Sequence, residues 1–141
     1  MSKWLRAAIL ALTLPAAPVL GGELIGITPD ELETLKVQGV PVVDVRTPEE
    51  WRKTGLIEGS KPLTFFDSKG AYDAADWLRR FKAIVPDVAR PVVLVCRSGN
   101  RTAMVGKMLT QELGYERVYH LEKGLQVWSA EGHKLSPCGN C

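Results

Sequence analysis

The sequence is poor in net charge, in cysteine and histidine, and in long apolar runs. Its formal net charge is +2 over 141 residues, with no basic run, which excludes a nucleic-acid partner recruited by charge. The uncharged stretch Ala7–Leu20 has 14 residues, whereas a membrane-spanning helix needs about 20. Pro15 and Pro18 break it further. With three cysteines and two histidines, no second ligand pair accompanies Cys138 and Cys141, so a structural zinc is not expected, and no cofactor is implied. Internal repeats and low-complexity segments are also missing. What is present is ordinary for a folded domain: 45% hydrophobic and 24% charged residues, enough for one packed core.

The N-terminus stands apart. Lys3 and Arg6 precede the apolar stretch, and Val19-Leu20-Gly21 follows, which fits a secretory signal peptide over residues 1–21 cut after Gly21. Losing Lys3 and Arg6 takes the side-chain charge from +2 to 0. An uncleaved anchor or a disordered tail is the alternative. Export places the mature chain in the periplasm or outside, where disulfides persist, with no membrane span after processing. The remaining chain divides into a domain over 22–135 and a tail over 136–141.

Within 22–135 strand and helix signals alternate. Leu24–Ile27 is an apolar run. Thr28-Pro29-Asp30-Glu31 opens a helix with a cap, a proline at the first position and a capping box. Leu32, Leu35 and Val37 form its apolar face, and Gln38-Gly39 ends it. Pro41–Arg46 reads as a strand buried on both faces. Thr47-Pro48-Glu49-Glu50 repeats the helix start, and Gly55 stops that helix. Lys61–Phe65 is a short edge or irregular strand because of Pro62. Asp73 caps a helix with an apolar stripe through Trp77, Leu78, Phe81 and Ile84, ended by Pro86. Val92–Val95 is a strand, and the helix after it runs to Leu113. Arg117–Leu121 is the last strand, Gly124–Trp128 opens the last helix, and the tail has turn chemistry alone. This pattern predicts an α/β fold, with a mostly parallel sheet of about five strands flanked by helices on both faces.

The stretch Val92–Thr102 carries the chemistry. A strand runs into Cys96, followed by the polar loop Arg97-Ser98-Gly99-Asn100-Arg101 and a helix. In a parallel sheet this junction lies at the carboxyl edge, where ligands bind. The unpaired N–H groups and dipole of the next helix favour negative charge on the sulfur. Ser98, Gly99 and Asn100 let backbone N–H groups converge as an anion nest, and Arg97 and Arg101 add fixed positive charge. Cysteine phosphatases and arsenate reductases place an arginine after five intervening residues. Here that position is Thr102, and Arg101 comes after four. A shorter loop suits a single sulfur more than a tetrahedral oxyanion.

At these residues the chain resembles the single-domain rhodanese (sulfurtransferase) family. Cys96-Arg97-Ser98-Gly99-Asn100-Arg101 is similar to its active-site loop. Asp44-Val45-Arg46 with Glu49-Glu50-Trp51, Gly55–Ser60 and Leu121–Trp128 resemble three further family segments in order, over about residues 24–135. Leu56, Ser60 and Lys123 depart from the pattern. The resemblance implies a rhodanese-like fold and sulfur transfer through a Cys96 persulfide. The donor would be a small sulfur anion such as thiosulfate, and the acceptor a thiol, a partner-protein thiol or cyanide. Substrate binding would fall to Arg97, Ser98, Gly99, Asn100, Arg101 and Thr102. Either arginine can hold the leaving sulfite, with the other paired to a carboxylate. A non-enzymatic sulfur carrier or binding module is the alternative function.

Other polar residues have plainer expectations. Asp44 and Arg46 either support the Cys96 loop or form a structural ion pair, and the ion pair is favoured. Glu49 and Glu50 complement a helix dipole. His120 and His133 lack evident partners and count as structural or solvated. Trp51, Trp77 and Trp128 belong to the core. Cys138-Gly139-Asn140-Cys141 is a local disulfide, a redox pair exchanging with Cys96 or a partner, or half of a metal site. The disulfide is favoured.

Overall fold

Strand parity decides where each side chain goes. The computed structural model describes residues 13–16 and 21–141, so most of the leader read over 1–21 lies outside the described residues. Among the described residues five strands, β1 (Leu24–Ile27), β2 (Val42–Asp44), β3 (Lys61–Pro62), β4 (Val92–Val95) and β5 (Val118–Leu121), pair in the order β1-β5-β4-β2-β3. Every pairing is parallel. Helices α1 (Pro29–Val37), α2 (Pro48–Thr54), α3 (Ala74–Ile84), α4 (Asn100–Lys107) and α5 (Gly124–Ala130) connect them.

Alternating residues feed two cores. Val43, Val45, Val92, Leu94 and Cys96 face one layer, packed with Trp77 and Phe81 of α3 and Val105 of α4. Val42, Val93 and Val95 face the other, with Leu32 of α1 and Leu125 and Trp128 of α5. A parallel sheet covered on both faces explains the continuous apolar reading of its strands. β4 is central, so the loop after it is flanked by the ends of β2 and β5. Among the described residues no helix is long and apolar enough to cross a membrane.

Both Thr-Pro-x-Glu helix starts form complete capping boxes. Four local expectations change. Val37 is exposed, because the buried stripe of α1 is carried by Leu32 and Leu35. The second strand ends at Asp44 and the third spans Lys61–Pro62; beyond it Leu63 and Phe65 keep single bonds to the Asp44 and Val45 carbonyls. The helix after the loop leaves α geometry at Lys107 and continues as a π-helical stretch over Met108–Glu112. There the Thr110 hydroxyl donates to the Gly106 carbonyl at 3.0 Å, and such back-bonding competes with the backbone ladder. The tail does more than turn: Ser136 forms an antiparallel bridge with Leu56, with N–H···O distances of 2.9 and 2.7 Å.

Candidate active site

Cys96 follows β4 directly and is fully buried, its side chain on the α3–α4 face. The chain then turns through Gly99, which has φ 92° and immediately precedes α4. That left-handed backbone suits glycine, and a Cβ there would overlap the Glu122 carbonyl oxygen. The turn aims the Gly99 N–H at Cys96 Sγ, 3.2 Å away. The N–H groups of Ser98, Asn100 and Arg101 have no acceptor among the described residues. They form an open donor set at the start of α4.

A second element holds this loop from outside. The first turn of α5 donates Leu125 N to the Cys96 carbonyl at 2.9 Å and Gln126 N to the Arg97 carbonyl at 3.1 Å. Two orphan donors of α5 are thereby satisfied, and the loop carbonyls are fixed outward. The approach is close enough that Gly124 (φ 69°) has no room for a side chain: a Cβ would overlap the Arg97 carbonyl.

The two loop arginines differ in role. Arg101 makes a two-pronged pair with Glu50, Nη1 to Oε1 at 2.6 Å and Nη2 to Oε2 at 2.9 Å. The Arg101 hydrogen bond holds the Glu50 carboxyl below its usual range, and Glu50 correspondingly raises Arg101. Glu50 therefore ties α2 to α4 as well as closing its capping box, which the dipole expectation did not include. Arg97 is exposed and, among the described residues, has no carboxylate partner. It borders a cavity of about 430 Å³ with Arg46, Glu50, Lys53, Gln126 and Leu135. Lys53 likewise has no carboxylate partner among the described residues, so the cavity carries open positive charge suited to a small anion.

Asp44 and Arg46 form a buried pair through Nε and Nη2. Arg46 also donates to the Thr54 hydroxyl at 2.7 Å and to the Gly55 carbonyl at 2.8 Å. The pair secures the end of α2, and no hydrogen bond joins it to residues 96–101 among the described residues. His120 is buried, against the expectation of a histidine without a partner. Its Nδ1 lies 2.8 Å from Thr102 Oγ1, which in turn is 3.6 Å from Cys96 Sγ and donates to the Gly99 carbonyl at 3.1 Å. Burial pushes the His120 pKa down, opposed by the charge of Glu122. No spacing rule connects residues 102 and 120; parallel pairing of β4 with β5 brings them together. His133 stacks on Trp128 with ring centroids 4.5 Å apart. Cys138 and Cys141 are joined in a disulfide, with Cα atoms 5.7 Å apart.

Comparison with known proteins places this fold in a family. The rhodanese-like domain model matches residues 28–131. The chain belongs to the rhodanese-like domain family. Thiosulfate sulfurtransferase GlpE of Pseudomonas fluorescens is 29% identical over 102 residues, 72% of this chain and 82% of that protein. GlpE of Pseudomonas paraeruginosa is 30% identical over 102 residues, 72% of this chain and 81% of its own. The polysulfide-sulfur transferase homodimer of Wolinella succinogenes shares the fold, with a TM-score of 0.62 at 21% identity, covering 83% of this chain and 81% of that one. The rhodanese-like reading of the fold thus holds, and the curated relatives are sulfurtransferases by name.

Proposed function

We propose that this rhodanese-like protein is a sulfurtransferase that carries a sulfane sulfur as a persulfide on Cys96. The observation that carries the reading is the sulfur held at the start of α4 with Gly99 N–H 3.2 Å from it. Cys96 thiolate attacks the outer sulfur of a donor such as thiosulfate, and sulfite leaves. Open N–H groups of the loop stabilise charge on the outer persulfide sulfur, as preorganised donors stabilise an oxyanion. Arg97, free of a carboxylate and bordering the cavity, binds the anionic donor and its leaving group. Arg101 is occupied by Glu50 and positions α4. An acceptor thiol, on a small molecule or partner protein, or cyanide then takes the sulfur. The site needs no metal and no cofactor for these steps. Phosphatase or arsenate reductase chemistry is disfavoured, because Arg101 follows Cys96 after four residues and is committed to Glu50.

Export completes the proposal, supported by the basic start and 14-residue apolar stretch of the first 21 residues. A second reading is a carrier that stores sulfur on Cys96, because its full burial slows release to any free thiol in solution. The test is thiocyanate formation from thiosulfate and cyanide, with mass analysis of Cys96 after thiosulfate alone. Turnover that disappears in Cys96→Ser, with KM for thiosulfate raised about tenfold in Arg97→Ala for loss of a charge-assisted contact, supports the enzyme. A persulfide without turnover supports the carrier. Activity retained in Cys96→Ser overturns both.

A further inference from the structure

The tail disulfide follows Leu135, which lines the cavity that Arg97 borders, and sulfur transfer as proposed above does not use it. We propose that Cys138 and Cys141, in reduced form, are the built-in acceptor for the sulfur on Cys96, releasing it as hydrogen sulfide as their own disulfide closes. The proposal rests on the persulfide reading of Cys96.

The tail is anchored along the cavity. Leu135 lines the same wall system as Arg97 and Lys53. Ser136 pairs with Leu56, and a Cβ on Gly55 would lie 2.5 Å from the Ser136 carbonyl oxygen, so the two backbones are in close contact. Arg52 of α2 donates Nη1 to the Cys141 carbonyl at 2.8 Å. Cys138 is three residues beyond Leu135, at most about 11 Å of extended chain away. Its Cα lies 5.7 Å from that of Cys141, within the ordinary range for a bridge. Cys96 has no solvent-exposed surface, which handicaps a bulky external thiol, whereas a tethered one acts at millimolar effective concentration.

The chemistry balances. One tail thiolate attacks the outer sulfur of the Cys96 persulfide; the S–S bond to Cys96 breaks, and Cys96 leaves as thiolate. The tail now carries a persulfide. Its neighbouring thiolate attacks the inner sulfur of that persulfide, forming the Cys138–Cys141 disulfide and expelling hydrosulfide. One persulfide and two thiols become one thiol, one disulfide and one hydrogen sulfide. The sulfane sulfur gains the two electrons the tail thiols lose, and an external dithiol reduces the disulfide before another round.

The test uses the full chain, reduced with dithiothreitol, freed of reductant without air, and mixed with thiosulfate held at one saturating concentration. The expected result is one hydrogen sulfide per chain, loss of both tail thiols to alkylation, and a rate per chain unchanged over a tenfold range of protein concentration. Cys138→Ser/Cys141→Ser should keep the sulfur on Cys96 and release no sulfide. Wild-type protein that holds the Cys96 persulfide beside two free tail thiols overturns the tail proposal alone, as does release that accelerates with protein concentration. A double variant whose Cys96 takes up no sulfur overturns the persulfide reading and the tail proposal with it.

Discussion

Gly124→Ala separates the loop's geometry from the fold that carries it. The new Cβ would lie 2.5 Å from Ser98 N, where Cβ contacts under 3.0 Å are essentially never seen, and it would overlap the Arg97 carbonyl. The Arg97–Ser98 peptide must therefore retreat by at least about 0.5 Å, and more at the carbonyl, whose bond from Gln126 N is 3.1 Å long. Placing alanine at φ 69° costs roughly 1–2 kcal/mol, and overpacking against the loop adds about 1–3 kcal/mol. The sum, about 2–5 kcal/mol, lowers the melting temperature by roughly 6–20 °C for a domain of this size. Activity should fall further than stability. The displaced peptide directly precedes Gly99, whose N–H must stay 3.2 Å from Cys96 Sγ. A misplacement of about 1 Å, or loss of one such donor, costs about 100-fold in rate. The control is Gly39→Ala, where φ is 84° and nothing lies within 4 Å; it incurs the backbone cost and should leave turnover unchanged. The assay is thiosulfate-to-cyanide transfer at a temperature where circular dichroism shows both variants folded. Equal activity in the two variants would refute the idea that α5 sets the loop.

Two further outcomes follow from the ion pair and the buried histidine. Glu50→Gln removes a pair whose side chains are 25% and 29% exposed, so it should cost about 1 kcal/mol near neutral pH, read by urea denaturation. Because Arg101 lowers the Glu50 pKa from its ordinary value of 4.5, that cost is fully present above pH 4.5 and shrinks as pH falls through the lowered value; a cost independent of pH would refute the pairing. His120 is held below its ordinary value of 6.5 by burial, so the unfolded chain binds the extra proton first, and stability should fall as pH drops below 6.5. His120→Asn should flatten that slope in melting temperatures measured between pH 7 and pH 5, and an unchanged slope would place the titration elsewhere.

How much was legible beforehand varies with the range of the interaction. Local devices were readable because their physics is local. Thr28 with Glu31 and Thr47 with Glu50 close capping boxes within four residues, and the apolar runs Val42–Val43 and Val92–Val95 could bury both faces in a parallel sheet alone. Cys96, its loop and the helix behind it were visible for the same reason. Val37 and the π-helical stretch were misjudged. The first has a periodicity position that α1 does not bury, and the second depends on a hydroxyl returning to its own helix.

The sequence by itself determined the alternating α/β order, the place of Cys96 between a strand and a helix, and the short spacing from Cys96 to Arg101. Only the tertiary structure decided which arginine is free, since Glu50 and Arg101 are 51 residues apart and meet because β2 and β4 are neighbours that end on one edge. It alone brought Thr102 and His120 into contact, set the N–H groups of α5 against the carbonyls of Cys96 and Arg97, and laid the tail cysteines beside α2. Hydrogen bonds and ion pairs act over a few ångströms, whatever the distance along the chain. Their partners are chosen by strand order, which no local pattern encodes.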